Sequence, residues 1–566
     1  MRECATAIPK AAVSGERKAK LDPEVEQLAP LPPVGKGLRR VAAIDLGTNS
    51  THLLIASVDP QLRSFSVLLA EKSTTRLGER DPDSGDLTRE AMERARLALR
   101  HCRDLARSHN VEDIICVATS AMREAPNGMA FLEEIEQTLG LGAEVISGAE
   151  EARLIYLGVL SGMEFGDQPH QILDIGGGST ELVLADARDA RALTSSRVGA
   201  VRLQRDFVRR DPLDAQRVEF LKAFIQGSME PSVEKVRRRL EPGEEPILVA
   251  TSGTALAAAN LLCAEQPRGG GRLHGMQFSK AELDVLVKKV LPLTPEQRRQ
   301  LPGINERRAE IIVPGLLVLQ TAMELLQAEA FVISERALRE GLIIDWMLRH
   351  DLIVDRFSYQ SEIRRRTVLH QAQKFGVPIS RAERVAGYAT SLFDQTSGSF
   401  HQEDASARQL LWAAALLHSC GLHINTSGYH KHSWYLINNG ELLGYNHGEQ
   451  LVIASLARYH RRSLPKKRHE SWLLLDRDQR RLVERLSLLL RLAVAIDRRP
   501  QGGVESLRAR CNKGELQLQL QPSDPGDDLS LELWSLQTCS QAIQQAAGIA
   551  LSCSVITEPG DLPLAA

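Results

Sequence analysis

The sequence predicts an α/β protein made of two similar half-domains, followed by a mostly helical region that ends in a small α+β piece. Three observations carry this. Short apolar runs alternate with stretches of helical period from Arg39 onward. A strand-loop-strand unit near Asp45 recurs without gaps near Asp174, aligning Asp45 with Asp174, Gly47 with Gly176, Ser50 with Ser179, Thr51 with Thr180 and Leu53 with Leu182. Beyond about residue 350, apolar residues fall at helical spacing through Ala407–Leu417, Gln450–Ala457 and Leu482–Ile496.

In chain order, residues 1–38 mix Pro, Ala, Lys and Glu, lack the apolar core of a secretory signal, and read as a disordered extension. Residues 39–160 form half-domain I. Its expected strands are Val41–Ile44, His52–Val58, Asp113–Ala118 and Ala143–Ile146, its expected helices Thr88–Ser108 and Gly128–Leu139, and a further helix opens at Ser147. Residues 161–349 form half-domain II, whose strand-loop-strand unit starts at Gln171. Two copies of one unit turn their equivalent loops toward each other, which places a site in the cleft between them. Residues 350–505 are the helical domain. In residues 506–566 strand-like alternation returns at Glu515–Leu520 and Leu529–Trp534.

Composition bounds the function classes. With 566 residues the chain exceeds a single core and divides into several domains. A hydrophobic content of 43% with 25% charged residues suits a soluble globular chain. The longest apolar runs, Ile311–Leu319 and Leu410–Leu417, fall far short of the roughly 20 residues a membrane span needs, so no membrane association is expected. The eight cysteines include no CxxC pair or tight cluster, which points to reduced thiols in a cytoplasm. Net charge is −2, yet residues 451–510 carry 15 Lys or Arg against 6 Asp or Glu, so basic character is local.

The two repeated loops carry the chemistry. In Asp45-Leu46-Gly47-Thr48-Asn49-Ser50 a carboxylate ends a strand, a glycine frees the backbone to turn, and three side chains can donate hydrogen bonds to a phosphate. Asp174-Ile175-Gly176-Gly177-Gly178-Ser179-Thr180 repeats the device, with three glycines that let backbone amides approach an anion. One such loop alone would be an ordinary glycine turn; two gap-free copies point to phosphate. No Lys-Ser or Lys-Thr follows the glycines, which excludes a P-loop. A strand rather than a helix follows each loop, which excludes a dinucleotide fold.

Hydrolysis at phosphorus needs a water held in line and relieved of its proton. Ser147-Gly148-Ala149-Glu150 fits a capping box, with Glu150 reaching back to the Ser147 amide. Glu151, about 100° further round the helix, is free to point elsewhere. On spacing alone a solvated helix carboxylate is the better reading of it. Arg123 follows a strand end and could clamp phosphate, and Asp45, Asp174 and Glu181 are the hard oxygen donors that Mg²⁺ prefers.

At these residues the sequence resembles the exopolyphosphatase and guanosine pentaphosphate phosphatase family, part of the sugar kinase, Hsp70 and actin superfamily with its actin-like (ribonuclease H-like) half-domains. The strings that carry it are DLGTNS (45–50), TSAMREA (119–125), SGAEEARLIYLGV (147–159), DIGGGSTELVL (174–184), TSGT (251–254), RAEIIVPGL (308–316) and SERALREGLI (334–343). The resemblance is strong over about residues 40–345 and looser beyond, toward the long four-domain exopolyphosphatases. It implies that Glu151 is the base, that Asp174 and Glu181 are associated with Mg²⁺, and that Arg123 and both loops contact phosphate. It places Thr251–Thr254 in a third loop and implies a homodimer. The implied reaction is release of orthophosphate from the end of inorganic polyphosphate. The alternatives are removal of the 5′-terminal phosphate of guanosine pentaphosphate at the same site, or a non-catalytic polyphosphate or alarmone sensor. No nucleic-acid partner is implied.

In the helical domain, His418-Ser419, Tyr459-His460 and Asp497 resemble an HD-type phosphohydrolase layout, but Ser419 stands where a metal-holding Asp is required, so a degenerate HD-like fold is expected. His430, Lys431, His432, Arg461, Lys466, Lys467 and Arg468 offer either a solvated face or a basic lining that guides a polyphosphate chain.

Overall fold

A computed structural model describes residues 37–265, 272–304, 308–353, 359, 362–512 and 514–556. The disordered extension expected at 1–38 lies almost wholly outside the described residues, while the cut expected between 349 and 350 falls at the end of the helix Leu338–Arg349.

Half-domain I is a sheet of β1 (Arg39–Leu46), β2 (Thr51–Asp59), β3 (Ser64–Ser73), β4 (Asp113–Ala118) and β5 (Glu144–Val145), in the order β3-β2-β1-β4-β5. β1 pairs antiparallel with β2 and parallel with β4, which makes it central; the near-continuous burial of Val41–Ile44 follows. Helix α1 (Arg89–Ser108) is capped by the Thr88 hydroxyl, and α2 (Ser120–Glu124) and α3 (Gly128–Leu139) follow β4. Strand β3 was not legible in the sequence because it is an edge strand whose side chains are mostly exposed or half-buried, which blurs the alternation.

Half-domain II repeats this topology. β6 (His170–Ile175), β7 (Thr180–Ala185), β8 (Ala190–Ser196), β9 (Ile247–Thr251) and β11 (Ala330–Ile333) take the order β8-β7-β6-β9-β11, with β10 (Gln277–Ser279) added at the edge. The helices are α5 (Ala200–Phe207), α6 (Ala215–Arg237), α7 (Ser252–Glu265), α8 (Lys280–Val290), α9 (Pro295–Arg299) and α10 (Ile312–Leu326). The duplicated, actin-like α/β arrangement expected from the sequence is therefore present.

Between the sheets lie α4 (Gly148–Leu160) and α11 (Leu338–Arg349), which share one core with Val41, Leu54, Ile172 and Val183. They cross where Gly158 faces Ala337 and Gly341 faces Leu154; a Cβ at either glycine would stand 1.8 Å from a facing carbonyl oxygen, so nothing larger fits. This close crossing fixes the start of α4 relative to both repeated loops.

The remaining chain is a helical bundle, including Ile363–Lys374, Ile379–Thr396, Ala405–Leu417, Tyr429–Asn439, His447–Tyr459 and Arg477–Ile496. A sheet of β12 (Val504–Asn512), β13 (Glu515–Pro522) and β14 (Ala550–Val555) joins the same buried core. The strand-like alternation at Leu529–Trp534 is a misreading: it opens the helix Ser530–Ala547. Leu531 and Trp534 face solvent there, while the charged Glu532 is buried against Arg499. Arg336 docks the bundle onto the α/β half, giving one guanidinium nitrogen to Glu441 at 3.0 Å and another to the Ser161 hydroxyl at 3.0 Å. Among the described residues no helix is long and apolar enough to cross a membrane.

Candidate active site

The two repeated loops close alike. The Gly47 amide donates to the Ser50 carbonyl at 3.1 Å and the Gly176 amide to the Ser179 carbonyl at 3.0 Å. In the antiparallel ladders Asp45 stands opposite His52 and Asp174 opposite Glu181, so the second copy carries a carboxylate where the first carries an imidazole. Both loops line a cavity of about 390 Å³ with Asp45, Asp174 and Glu151.

Glu151 lies in the first turn of α4, is 8% exposed, and has Oε2 3.4 and 3.5 Å from the two terminal nitrogens of Arg123. Ser147 does cap this helix, accepting from the Glu150 amide at 3.1 Å. The expected return bond from Glu150 is replaced: its carboxylate takes both Nε and Nη2 of Arg153, at 2.8 and 2.7 Å, because that guanidinium lies one turn away with matching geometry. Arg123 also differs from expectation. Its fork is spent on Glu151 and the Ile146 carbonyl, behind the cavity wall.

Burial disfavours the charge of four carboxylates, and at Asp45, Glu181 and Glu151 a neighbouring carboxylate adds to it. Burial pushes Asp45 up to about 7, with Arg339 opposing and Asp174 adding. Burial likewise raises Asp174 to about 6, opposed by the Ser252 hydroxyl. Glu181 is 1% exposed, accepts from Ser195 at 2.8 Å, and is raised to about 8 by burial and then by Asp174. Glu151 is held well above the usual carboxylate range by burial and the charge of Glu181, against the pull of Arg123.

Among the described residues no three His, Cys, Asp or Glu side chains converge closely enough to hold a metal ion by themselves. The donor set nonetheless fits a divalent cation shared with phosphate oxygens. Oδ1 of Asp45 is buried without a hydrogen-bond partner, and Asp45 and Asp174 reach the cavity together. Magnesium is commonly held by one or two carboxylates plus substrate phosphates. Glu181 stands behind them, sealed from the cavity.

Gly47, Thr48, Asn49, Ser50, Gly176, Gly177, Gly178 and Ser179 all line the cavity. Thr180 does not: it is buried and its hydroxyl is committed to the Val198 carbonyl. The third loop takes part through Ser252, whose backbone sits at φ 66° in the left-handed region and whose hydroxyl donates to Asp174 Oδ2 at 2.6 Å. Thr251 is structural, bonded to the Ser334 and Arg336 carbonyls.

Sequence reasoning missed the cationic wall. Lys72, Arg308 and Arg339 line the same cavity. Burial first, then Arg339, Lys72 and Arg308, push His52 down to about 3, so it stays neutral. Desolvation alone lowers Arg308 to about 10, the mark of a guanidinium short of solvent and counter-charge. Arg308 and Arg339 do sit inside recognised strings, but no local pattern says that they return to the loops.

In the bundle, Lys431, Lys466, Lys467 and Arg468 are exposed, and Arg461 lies over the Tyr429 ring at 4.6 Å. His430 must be removed from the basic lining: at 5% exposure it packs inside, and burial with Arg458 and Arg461 pushes it down to about 4. His432 is half-buried. Asp497 is enclosed, with one oxygen held by Arg381 and the other by Arg384, at 2.8 and 2.9 Å.

Residues 54–350 match the model of the Ppx/GppA phosphatase family, and residues 363–540 match Ppx/GppA phosphatase, domain III. The guanosine-5′-triphosphate,3′-diphosphate pyrophosphatases of Vibrio parahaemolyticus and Vibrio vulnificus are each 30% identical, over 82% of this chain and 88% of theirs. An exopolyphosphatase from Cytophaga hutchinsonii is similar in structure, with a TM-score of 0.51 and 27% identity over 56% of this chain and all of that one.

Proposed function

The chain belongs to the Ppx/GppA phosphatase family, and from that membership we propose that it hydrolyses the 5′-terminal phosphoanhydride of guanosine pentaphosphate, releasing orthophosphate. The observation that carries the reaction is the buried Glu151, held by Arg123, at the edge of a cavity lined by two matching glycine loops and a cationic wall. The choice of substrate is supported by relatives named for that nucleotide over 82% of the chain.

In this mechanism the terminal phosphate lies between the loops at 45–50 and 176–179, whose amides and hydroxyls donate to its oxygens. Glu151 takes a proton from a water as the water oxygen bonds to phosphorus. The bridging oxygen leaves with its electron pair on the shortened ligand. Arg123 is a positioning residue that holds Glu151 and favours its ionised form. Arg308, Arg339 and Lys72 bind the phosphates that do not react. A cation held by Asp45 and Asp174, which we assign as Mg²⁺ on ligand chemistry, would neutralise charge on the phosphate oxygens.

Inorganic polyphosphate is the second reading. The exposed Lys466, Lys467 and Arg468 favour it as a place to hold a long anion, as does the similarity to a protein named exopolyphosphatase. Phosphate release from both substrates, side by side with Mg²⁺ and with Glu151→Ala as control, separates them. Faster Glu151-dependent release from polyphosphate would reverse the order of the two readings. No release from either would leave a binding protein.

A further inference from the structure

A second cavity, of about 640 Å³, lies between the half-domains on the other side of a wall formed by Thr48, Ser120 and Gly178, which line both spaces. The wall is thin. A Cβ at Gly178 would stand 2.4 Å from Ser120 Oγ and 2.8 Å from Thr48 Oγ1, so only glycine closes here. Ser120 shares the short helix α2 with Arg123, which grips Glu151, so the wall adjoins the proposed reacting end.

One ion pair fixes the wall from both half-domains. Glu124 accepts from Ser120 Oγ at 3.1 Å and from Arg202 Nη2 at 2.6 and 2.8 Å. Arg202 Nε in turn donates to the Gly178 carbonyl at 2.8 Å. Separating Glu124 from Arg202 would release Ser120 and Gly178 together. Beyond the wall the cavity is lined by Arg80, Arg202 and Arg205 together with Asp81, Glu124 and Asp206; Arg202 is paired with Glu124 and Arg205 with Asp206, which leaves Arg80 as the cation for an anion to meet. Arg80 gives its terminal nitrogens to the Gly85 and Ala121 carbonyls, has no carboxylate at ion-pairing distance among the described residues, and keeps a buried Nε without a partner.

In the proposed reaction the phosphate would be freed beside this wall, next to Glu151, while the shortened ligand still sits on the loops and the cationic wall. The way back is blocked by the ligand itself. We propose that the second cavity is an orthophosphate site and outlet, gated by the Glu124–Arg202 pair, through which the product leaves without dissociation of the remaining substrate. This rests on the reading that the cleft releases orthophosphate.

The test compares cleavage by rapid quench with the appearance of free phosphate by stopped flow, on whichever substrate the native protein cleaves. Native protein should release phosphate several-fold more slowly than it cleaves. Glu124→Gln and Arg202→Lys, each first confirmed to melt as a folded protein, should shorten that lag measured against each variant's own single-turnover cleavage rate. Release that keeps pace with cleavage in native and variant protein alike overturns the gate. Calorimetric titration with inorganic phosphate needs no turnover, so it decides the site even if neither substrate is cleaved. There Arg80→Ala should weaken binding about tenfold, the size of one charge-assisted hydrogen bond. Equal affinity overturns the site, and so does an Arg80→Ala effect on substrate KM alone, which would mean that substrate phosphates occupy the chamber.

Discussion

The Ser252 hydroxyl donates to Oδ2 of Asp174 at 2.6 Å from a backbone held at φ 66°. A non-glycine residue in the left-handed region costs about 1 kcal/mol, and here the hydroxyl it delivers opposes the rise in the Asp174 pKa. Ser252→Gly should therefore melt higher than Ser252→Ala by about 1 kcal/mol of stability, while both lose activity alike. A Ser252→Gly protein that melts lower than Ser252→Ala would show the backbone to be unstrained.

Glu151→Gln keeps the shape of the side chain and removes the proposed base. Turnover should fall by about 10²- to 10⁴-fold, the usual worth of general base catalysis. Because burial and Glu181 disfavour the charge on Glu151, the variant should melt no lower than native protein at pH 8. Near-native turnover would move the base elsewhere.

The carboxylate cluster links stability to pH. Asp45, Asp174 and Glu181 sit at about 7, 6 and 8, above their ordinary values, so their contribution is present below the ordinary carboxylate range and is lost as pH rises through 6 to 8. A divalent cation held by Asp45 and Asp174 would offset that loss. The rise in melting temperature on adding Mg²⁺ should be larger at pH 8.5 than at pH 5.5, and Asp45→Asn should flatten the difference. An Mg²⁺ increment that ignores pH would argue against a cation at this cluster.

Neutralising Lys466, Lys467 and Arg468 should lower affinity for long polyphosphate and reduce the slope of log affinity against log salt by about 2, for three charges on a flexible anion. Short substrates should be unaffected. An unchanged slope would identify the run as a solvated face.

Arg336 is 4% exposed and spans the junction to Glu441, which Arg336 and Arg272 hold down at about 2 despite burial. Arg272 also binds Glu335, which lines the cavity. Glu441→Gln should cost about 2 kcal/mol by denaturant melting. It should also raise KM more than it lowers kcat, because the Glu335–Arg339 segment is anchored there. A loss of stability with an unchanged KM would confine the pair to docking.

The duplicated fold and its paired loops were legible because they are local. Asp45, Gly47 and Ser50, and their copies at 174, 176 and 179, lie within one turn of chain, where residue type and spacing decide the backbone. The place of Glu151 in the cavity followed from the string around it, because helix phase alone favoured a solvated position. Tertiary structure alone decided that Arg308, Arg339 and Lys72 share its cavity, that Glu181 stands behind it, and that Arg123 faces the carboxylate. It also decided that Leu529–Trp534 is a helix, since burial of Glu532 against Arg499 outweighs the apolar alternation. Chain pattern determines which groups are available and how each element turns. Burial, ion pairing and the crossing of α4 with α11 depend on contacts between distant residues, and those contacts set which groups meet and what charge they carry.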